Sequence, residues 1–347
     1  MDKYNARKLK NQELTKYIDG YVSEKTLERI ERCNNTMRFI TDEADTKKKQ
    51  VVGESCNNPF CPICVYREAK KDALKIAICM KYIEVEHEKD FIFMHLTSPN
   101  VKADKLSDEI TRFNKAFKNL MKRKEVISVN KGYIRKLEVT YNGEPRITSD
   151  MWCGNAERHI KLMADYFQGL GLKVGDPNPN YDTYHTHFHV VIAVNKSYFS
   201  GRTYVKQEKW LNMWRDVMEA PEITQVFVQR LNKSENSKEV QEVAKYTAKS
   251  SDYMISLEVF DVFYKALSRR QKITYNGLFA EANKLFKAKK LDKYKYVDET
   301  EYVHMLLYRW GKGEYVEEER RELTEDERRR YNKVLVDELT EGLVCDV

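Results

Sequence analysis

Three of the chain's seven histidines fall within five residues. His185, His187 and His189 alternate in YDTYHTHFHVVIAV (181–194), directly ahead of an apolar run. Alternation is strand grammar, so the imidazoles share one face while Phe188, Val190 and Ile192 take the other. Neighbours on that face lie about 7 Å apart at Cα, near enough for their side chains to converge on one ion. A divalent cation needs more than two ligands. Glu138 meets the need from a strand expected alongside. Two imidazoles and a carboxylate leave open positions on Mn²⁺, Mg²⁺ or Zn²⁺ for a phosphate oxygen, which the ion would polarise as a Lewis acid. The bland alternative is a set of histidines scattered on a solvent-facing strand.

A second constellation is EVQEVAKYTAKSSDY (239–253), read as a helix from about Lys238 to Lys249 with Ser237 as N-cap. Val240, Val243, Ala244 and Thr247 form its packing stripe. Glu242, Tyr246 and Lys249 recur at i, i+4, i+7 on a different face. A phenol with a pKa near 10 is a poor nucleophile at neutral pH. Lys245 and Lys249 would favour the phenolate and bind a phosphate. Glu242, one turn away, could take a proton from a water or hydroxyl attacking the same centre. Tyr253 is a rival nucleophile, but it lacks a carboxylate one turn ahead. Taken alone, the pattern also fits an ordinary exposed helix face.

Cys56, Cys61 and Cys64 stand at x4 and x2 spacing with Pro62 in the turn, and Cys33 lies 23 residues upstream. Four thiolates suit a closed, tetrahedral structural zinc, which has no water position. The alternative is a set of free thiols near a helix start. Cys79, Cys153 and Cys345 have no partners at ligand spacing. The basic helix that follows carries Arg67, Lys70, Lys71 and Lys75, either to grip phosphates or as a plain solvated face.

These groups need a frame. FIFMHLT (91–97) reads as a buried strand, with His95 as a core residue or an additional metal ligand, core being the favoured reading. Leu106, Ile110, Phe113, Phe117, Leu120 and Met121 mark a helix over 104–122. GYIRKLEVTY (132–141) alternates, with Ile134, Lys136, Glu138 and Thr140 on one face. Residues 142–183 interrupt the pattern with a helix near 155–168 and a Gly/Pro-rich loop. After the histidine strand come a helix with Trp210, Met213, Trp214 and Val217, a strand over 223–231, and the tyrosine helix. Without the interruption the order is β-α-β-β-α-β, an α+β ferredoxin-like (RRM-like) core. Its second and third strands pair, which sets Glu138 beside the histidines.

Three regions follow: 1–90 with the cysteine element and basic helix, 91–255 as the core with its insertion at 142–183, and 256–347 as a helical, charged C-terminal region. Within the last, VEEERRELTEDERRR (316–330) reads as a solvated helix face. A mean hydropathy of −0.70 and 33% charged residues describe a water-loving chain, and no apolar stretch approaches a membrane span. A net charge of +7 leans toward polyanionic partners. Seven cysteines without an export signal argue for reduced thiols or metal ligands and a cytoplasmic setting.

At these residues the chain resembles the rolling-circle plasmid replication initiators, within the HUH endonuclease superfamily. HFHVVIAV resembles the His-hydrophobic-His motif, with His187 and His189 as the pair. FIFMHLTSPNV and IRKLEVTYN are similar to two strand motifs of that family, and EVAKYTAKSSDY to its tyrosine motif. CNNPFCPICVYREAKK resembles its N-terminal cysteine cluster, which supports Cys33, Cys56, Cys61 and Cys64 as zinc ligands. Weaker similarity runs through 269–286 and around Trp310. The resemblance implies a metal-dependent nickase-ligase acting on the plasmid double-strand origin. Tyr246 would form a 5′-phosphotyrosine and release a 3′-OH primer for host polymerase and helicase. His187, His189 and Glu138 would hold Mn²⁺ or Mg²⁺, and Glu242, in a Glu-x-x-x-Tyr branch, would activate water to end the cycle. Competing readings are a transposase or relaxase of the same superfamily, and a zinc-stabilised DNA-binding regulator with an inert tyrosine.

Overall fold

The computed structural model describes residues 1–153, 164, 166–231, 243–244 and 248–336. Nine strands are seen among them: β1 (Thr36–Thr41), β2 (Lys48–Gly53), β3 (Lys89–Thr97), β4 (Gly132–Asn142), β5 (Thr183–Asn195), β6 (Phe227–Arg230), β7 (Ile273–Gly277), β8 (His304–Gly311) and β9 (Glu314–Glu322). They form two antiparallel sheets, ordered β6-β3-β5-β4-β7 and β2-β1-β8-β9. The architecture is mixed α and β.

The five-stranded sheet is covered on both faces, so its central strands are apolar in alternation on each side. One face carries Ile92, Met94, Leu96, Leu137, Val139, Phe188, Val190 and Ile192. The helix Leu106–Met121 lies on it, with Ile110, Phe113, Phe117 and Leu120 fully buried at helical spacing. Phe113 stacks on Phe188 with ring centroids 4.1 Å apart. The opposite face carries Phe91, Phe93, Ile134, Val191 and Ala193. Residues of the helix Pro62–His87 pack there, together with Phe279 and Ala282 and with Val243 and Ala244.

Pro62 takes the first turn of that long helix, where its missing N–H costs nothing. The helix ends at Glu88 in a left-handed conformation, a C-terminal stop that frees the chain to enter β3. Between β4 and β5, a short helix spans Ser149–Cys153, and Arg146 bridges to Pro177. The helix expected near 155–168 falls mostly outside the described residues.

The C-terminal region departs from the helical expectation. β7 joins the edge of the five-stranded sheet against β4, and β8 and β9 complete the sheet begun by β1 and β2. Residues 316–322 of the charged run belong to strand β9, and its helical part lies within Glu325–Tyr331. The cause is the hairpin: Lys312 and Gly313 both take positive φ (52° and 90°) and return the chain on itself. The charged side chains of β9 then face solvent from a sheet edge, where they also guard against further strand pairing.

The β4–β7 junction depends on two glycines paired across the strands, Gly132 with Gly277. Both have positive φ, 147° and 54°, and a Cβ on Gly132 would sit 2.4 Å from the backbone nitrogen of Leu278. Gly132→Ala is expected to cost about 1–3 kcal/mol, read as a lower urea midpoint. An unchanged midpoint would contradict the close packing of this edge.

Candidate active site and structural metal centre

The register of β3, β4 and β5 decides which polar groups meet. β5 lies between the other two, with Glu138 directly opposite His187 on one side and His95 directly opposite His189 on the other. All four side chains leave the same face as Phe93, Ile134 and Val191, because positions two apart share a face. Glu138 Oε2 lies 2.7 Å from His189 Nε2 and 3.8 Å from His187 Nδ1. His187 Nε2 is 2.7 Å from His185 Nδ1. The rings of His95 and His189 stack at 4.7 Å, and His95 meets His187 edge to face at 5.0 Å.

His95, His187 and His189 each offer a nitrogen within 4.8 Å of the others, and so form a candidate metal site. Burial drives the His185 imidazole down to about 4, and burial together with the neighbouring imidazoles drives His187 well below its ordinary range. Neutral imidazole is the ligating form, so this environment suits a cation. His185, on the far nitrogen of His187, stands where an outer partner fixes a ligand's ring orientation. Between core residue, the favoured reading of the sequence, and additional ligand, the grouping with His187 and His189 supports a ligand role for His95. It shares the face of Phe93, but the β3–β5 pairing sets it over the histidine pair. That register is what the sequence lacked.

Of the tyrosine segment, Val243 and Ala244 pack on this same face of the sheet. Tyr246, Glu242 and Lys245 lie outside the described residues. Lys249 is half-buried and caps the short helix Ser250–Tyr253, which packs against β4. Tyr253 is buried, and its hydroxyl donates to the Phe60 carbonyl at 2.7 Å. Its phenol thus anchors the cysteine loop. Asp252, not singled out from the sequence, has its carboxyl pushed up to about 6 by burial, with Lys249 opposing the rise and Glu138 adding to it. One of its oxygens is buried without a hydrogen bond among the described residues.

Cys33, Cys56, Cys61 and Cys64 are all buried and converge with sulfurs within 4.8 Å of one another. Cys33 and Cys56 each lie 3.6 Å from Cys64, and Cys61 lies 3.8 Å from Cys33. A tetrahedral zinc with Zn–S bonds near 2.3 Å sets its sulfurs about 3.8 Å apart, so the residues fit that ion. The surroundings agree with the charge such a site carries. Asn11 donates its amide to Cys61 Sγ at 3.4 Å, and the buried Lys8 ammonium donates to the Cys33 carbonyl at 2.8 Å. Crowding separates the thiols: hydrogen bonds from the others pull Cys64 down, and Cys61 is pushed up. A dication is what lets all four ionise together.

The sequence profile of a family described as Replication protein matches residues 47–316. The chain belongs to that family, and with it to the plasmid rolling-circle replication initiators that its motifs resemble. It is 42% identical over 257 residues to a Protein rep of Staphylococcus aureus, covering 74% of this chain and 96% of that one. It is 28% identical to a Protein rep of Streptococcus pneumoniae serotype 2, over 76% of this chain and 73% of the relative. A Bacillus amyloliquefaciens Protein rep is 27% identical, over 78% and 76%. No solved structure matches the chain. Among the described residues, no helix is long and apolar enough to cross a membrane.

The two metal centres are expected to separate by titration. His187→Ala should abolish saturable Mn²⁺ binding measured by calorimetry, and His185→Ala should weaken it by about 10–100-fold. Neither should release zinc. Wild-type affinity in His187→Ala would contradict the site. Cys64→Ser should lose zinc, measured by a chromogenic chelator, and with it the cooperative melting of the β2-β1-β8-β9 sheet.

Proposed function

We propose that the chain starts plasmid replication by nicking one strand of the double-strand origin, as a metal-dependent HUH endonuclease and strand rejoiner. The observation that carries the reading is Glu138, opposite His187 and 2.7 Å from His189, on the sheet face where Val243 and Ala244 pack. Support for a ferredoxin-like core comes from strand order. Numbered along the chain, β3, β4, β5 and β6 lie in the order 4-1-3-2, every neighbour antiparallel.

In this reading His187, His189 and Glu138, joined by His95, hold Mn²⁺ or Mg²⁺. A cation there supplies Lewis-acid polarisation of the scissile phosphate. Tyr246 attacks the phosphorus. The new tyrosyl O–P bond forms as the P–O3′ bond breaks, giving a 5′-phosphotyrosine and a 3′-OH that a host polymerase can extend while a host helicase opens the duplex. Lys245 and Lys249 steady the phosphate and favour the phenolate. Glu242 takes a proton from water at termination, so that the second cleavage is hydrolytic. Tyr253 is unsuited to attack, since its hydroxyl is engaged by Phe60.

The test uses a labelled single-stranded origin oligonucleotide with Mn²⁺, followed on a denaturing gel. Wild type is expected to form a covalent adduct, and Tyr246→Phe none. An adduct persisting in Tyr246→Phe would falsify the assignment. Glu242→Ala is expected to keep initial nicking but lose hydrolytic release, seen as adduct that accumulates without turnover. Equal loss of both steps would give the glutamate a wider role than termination.

A further inference from the structure

Two clefts share a wall, and the inner one reaches the strand that carries Glu138. The outer one, of about 500 Å³, runs between β2, the basic helix and residues 330–335. Arg7, Lys49, Arg67, Lys70, Lys71 and Arg330 line it, and its described lining holds no carboxylate. The inner one, of about 400 Å³, is entered past the same Arg67 and Lys71. It ends at Lys272 and Lys136, with Ala244, Ala248 and Tyr253 on its side.

Its inner end adjoins the histidines. Lys136 pairs with His189 across β4 and β5 and shares a face with Glu138 two residues on. Ala244 and Ala248 flank Tyr246 in the chain by two residues on each side. The lining also holds Glu68 and Asp72, two carboxylates against Arg67, Lys71, Lys136 and Lys272, so the cleft keeps a net cationic excess. Asp72 lies 3.9 Å from Lys136 but is also held at 2.5 Å by Lys75. Lys272 has no carboxylate partner among the described residues; its ammonium sits 5.8 Å from the Phe60 ring centroid. Burial, and secondarily the charge of Lys136, hold Lys272 down at about 8.

We propose that the two clefts form one track for single-stranded DNA, in which Arg67, Lys71 and Lys272 bind successive backbone phosphates and lead the strand to the histidine site. This rests on the strand-nicking reading above. The dimensions favour a single strand: the clefts have small-molecule volumes, whereas a duplex presents a far wider cylinder. Phosphate contacts position a strand without reading its sequence. The track therefore orients the DNA and leaves the choice of origin to other surfaces.

The test is fluorescence anisotropy with the full chain and a labelled 20-nucleotide mixed-sequence single strand, titrated across salt concentrations. Lys71→Ala with Lys272→Gln should flatten the slope of log affinity against log salt by about 1.4, at 0.7 per lost contact to a single strand. Lys71→Ala alone, at an exposed position, should flatten it by about 0.7 and keeps the test valid if the double variant misfolds. Lys284→Ala with Lys287→Ala, exposed residues outside both clefts, should leave it unchanged. An unchanged slope in the cleft variants, an equal loss in the control pair, or a dependence seen only with duplex would each overturn the track. Adduct formation by the wild type is scored separately. A flattened slope without any adduct would retain the groove as a DNA site and reject the nicking reading.

Discussion

The antiparallel pairing of β4 with β5 is the constraint on which the rest depends. Eleven consecutive residue pairs run from Gly132–Ala193 to Asn142–Thr183. Side chains alternate with a period of two, so a slip of one residue would turn Glu138 to the opposite face from the histidines and drive Leu137 and Val139 out of the core. The apolar pattern that fixes the core therefore also fixes the site. The long connection between these strands does little to weaken that. Loop-closure entropy grows by only about 0.6 kcal/mol for each doubling of length, so an excursion over 142–183 in place of a tight hairpin costs a few kcal/mol at most. Two buried apolar faces hold the register against that cost.

From this pairing the surrounding chemistry follows by adjacency. β3 on the other edge of β5 brings His95 over His189, and the helix Ser250–Tyr253 packs on β4. The Tyr253 hydroxyl then ties this region to the Phe60 carbonyl, one residue before Cys61. The cysteine centre is thus more than a remote staple. It fixes the start of the basic helix, and the same helix supplies Arg67 and Lys71 to the clefts that open toward the histidines. Loss of that centre would disturb the approach to the site as well as the four-stranded sheet.

Much of this was legible in the sequence, for physical reasons. The core strands and the helix Leu106–Met121 each bury continuous stripes, so period-two and period-3.6 patterns survive in the residue types. The three-histidine alternation and the cysteine spacing were equally plain. What escaped shows why patterns fail. The helix Asp2–Ile18 buries Arg7, Lys8 and Asn11 along with Leu14 and Ile18, because its inner face serves a cluster of thiols and so has no apolar periodicity. β9 reads as a helix surface because an exposed sheet edge tolerates charge at nearly every position. His95 read more readily as core than as ligand because its place over the pair comes from a neighbour 94 residues away, and register across such a distance is set by tertiary packing. Asp252 escaped because its burial depends on the contact between its helix and β4.

Anomalous diffraction from crystals soaked in Mn²⁺ tests the central claim most directly. The account predicts one strong manganese peak on the β3–β5–β4 face, bonded to nitrogens of His187 and His189 with a Glu138 oxygen completing the set. A peak bonded elsewhere, or an ion on the histidines with Glu138 turned away from it, would contradict the claim that strand register brings carboxylate and imidazoles onto one cation.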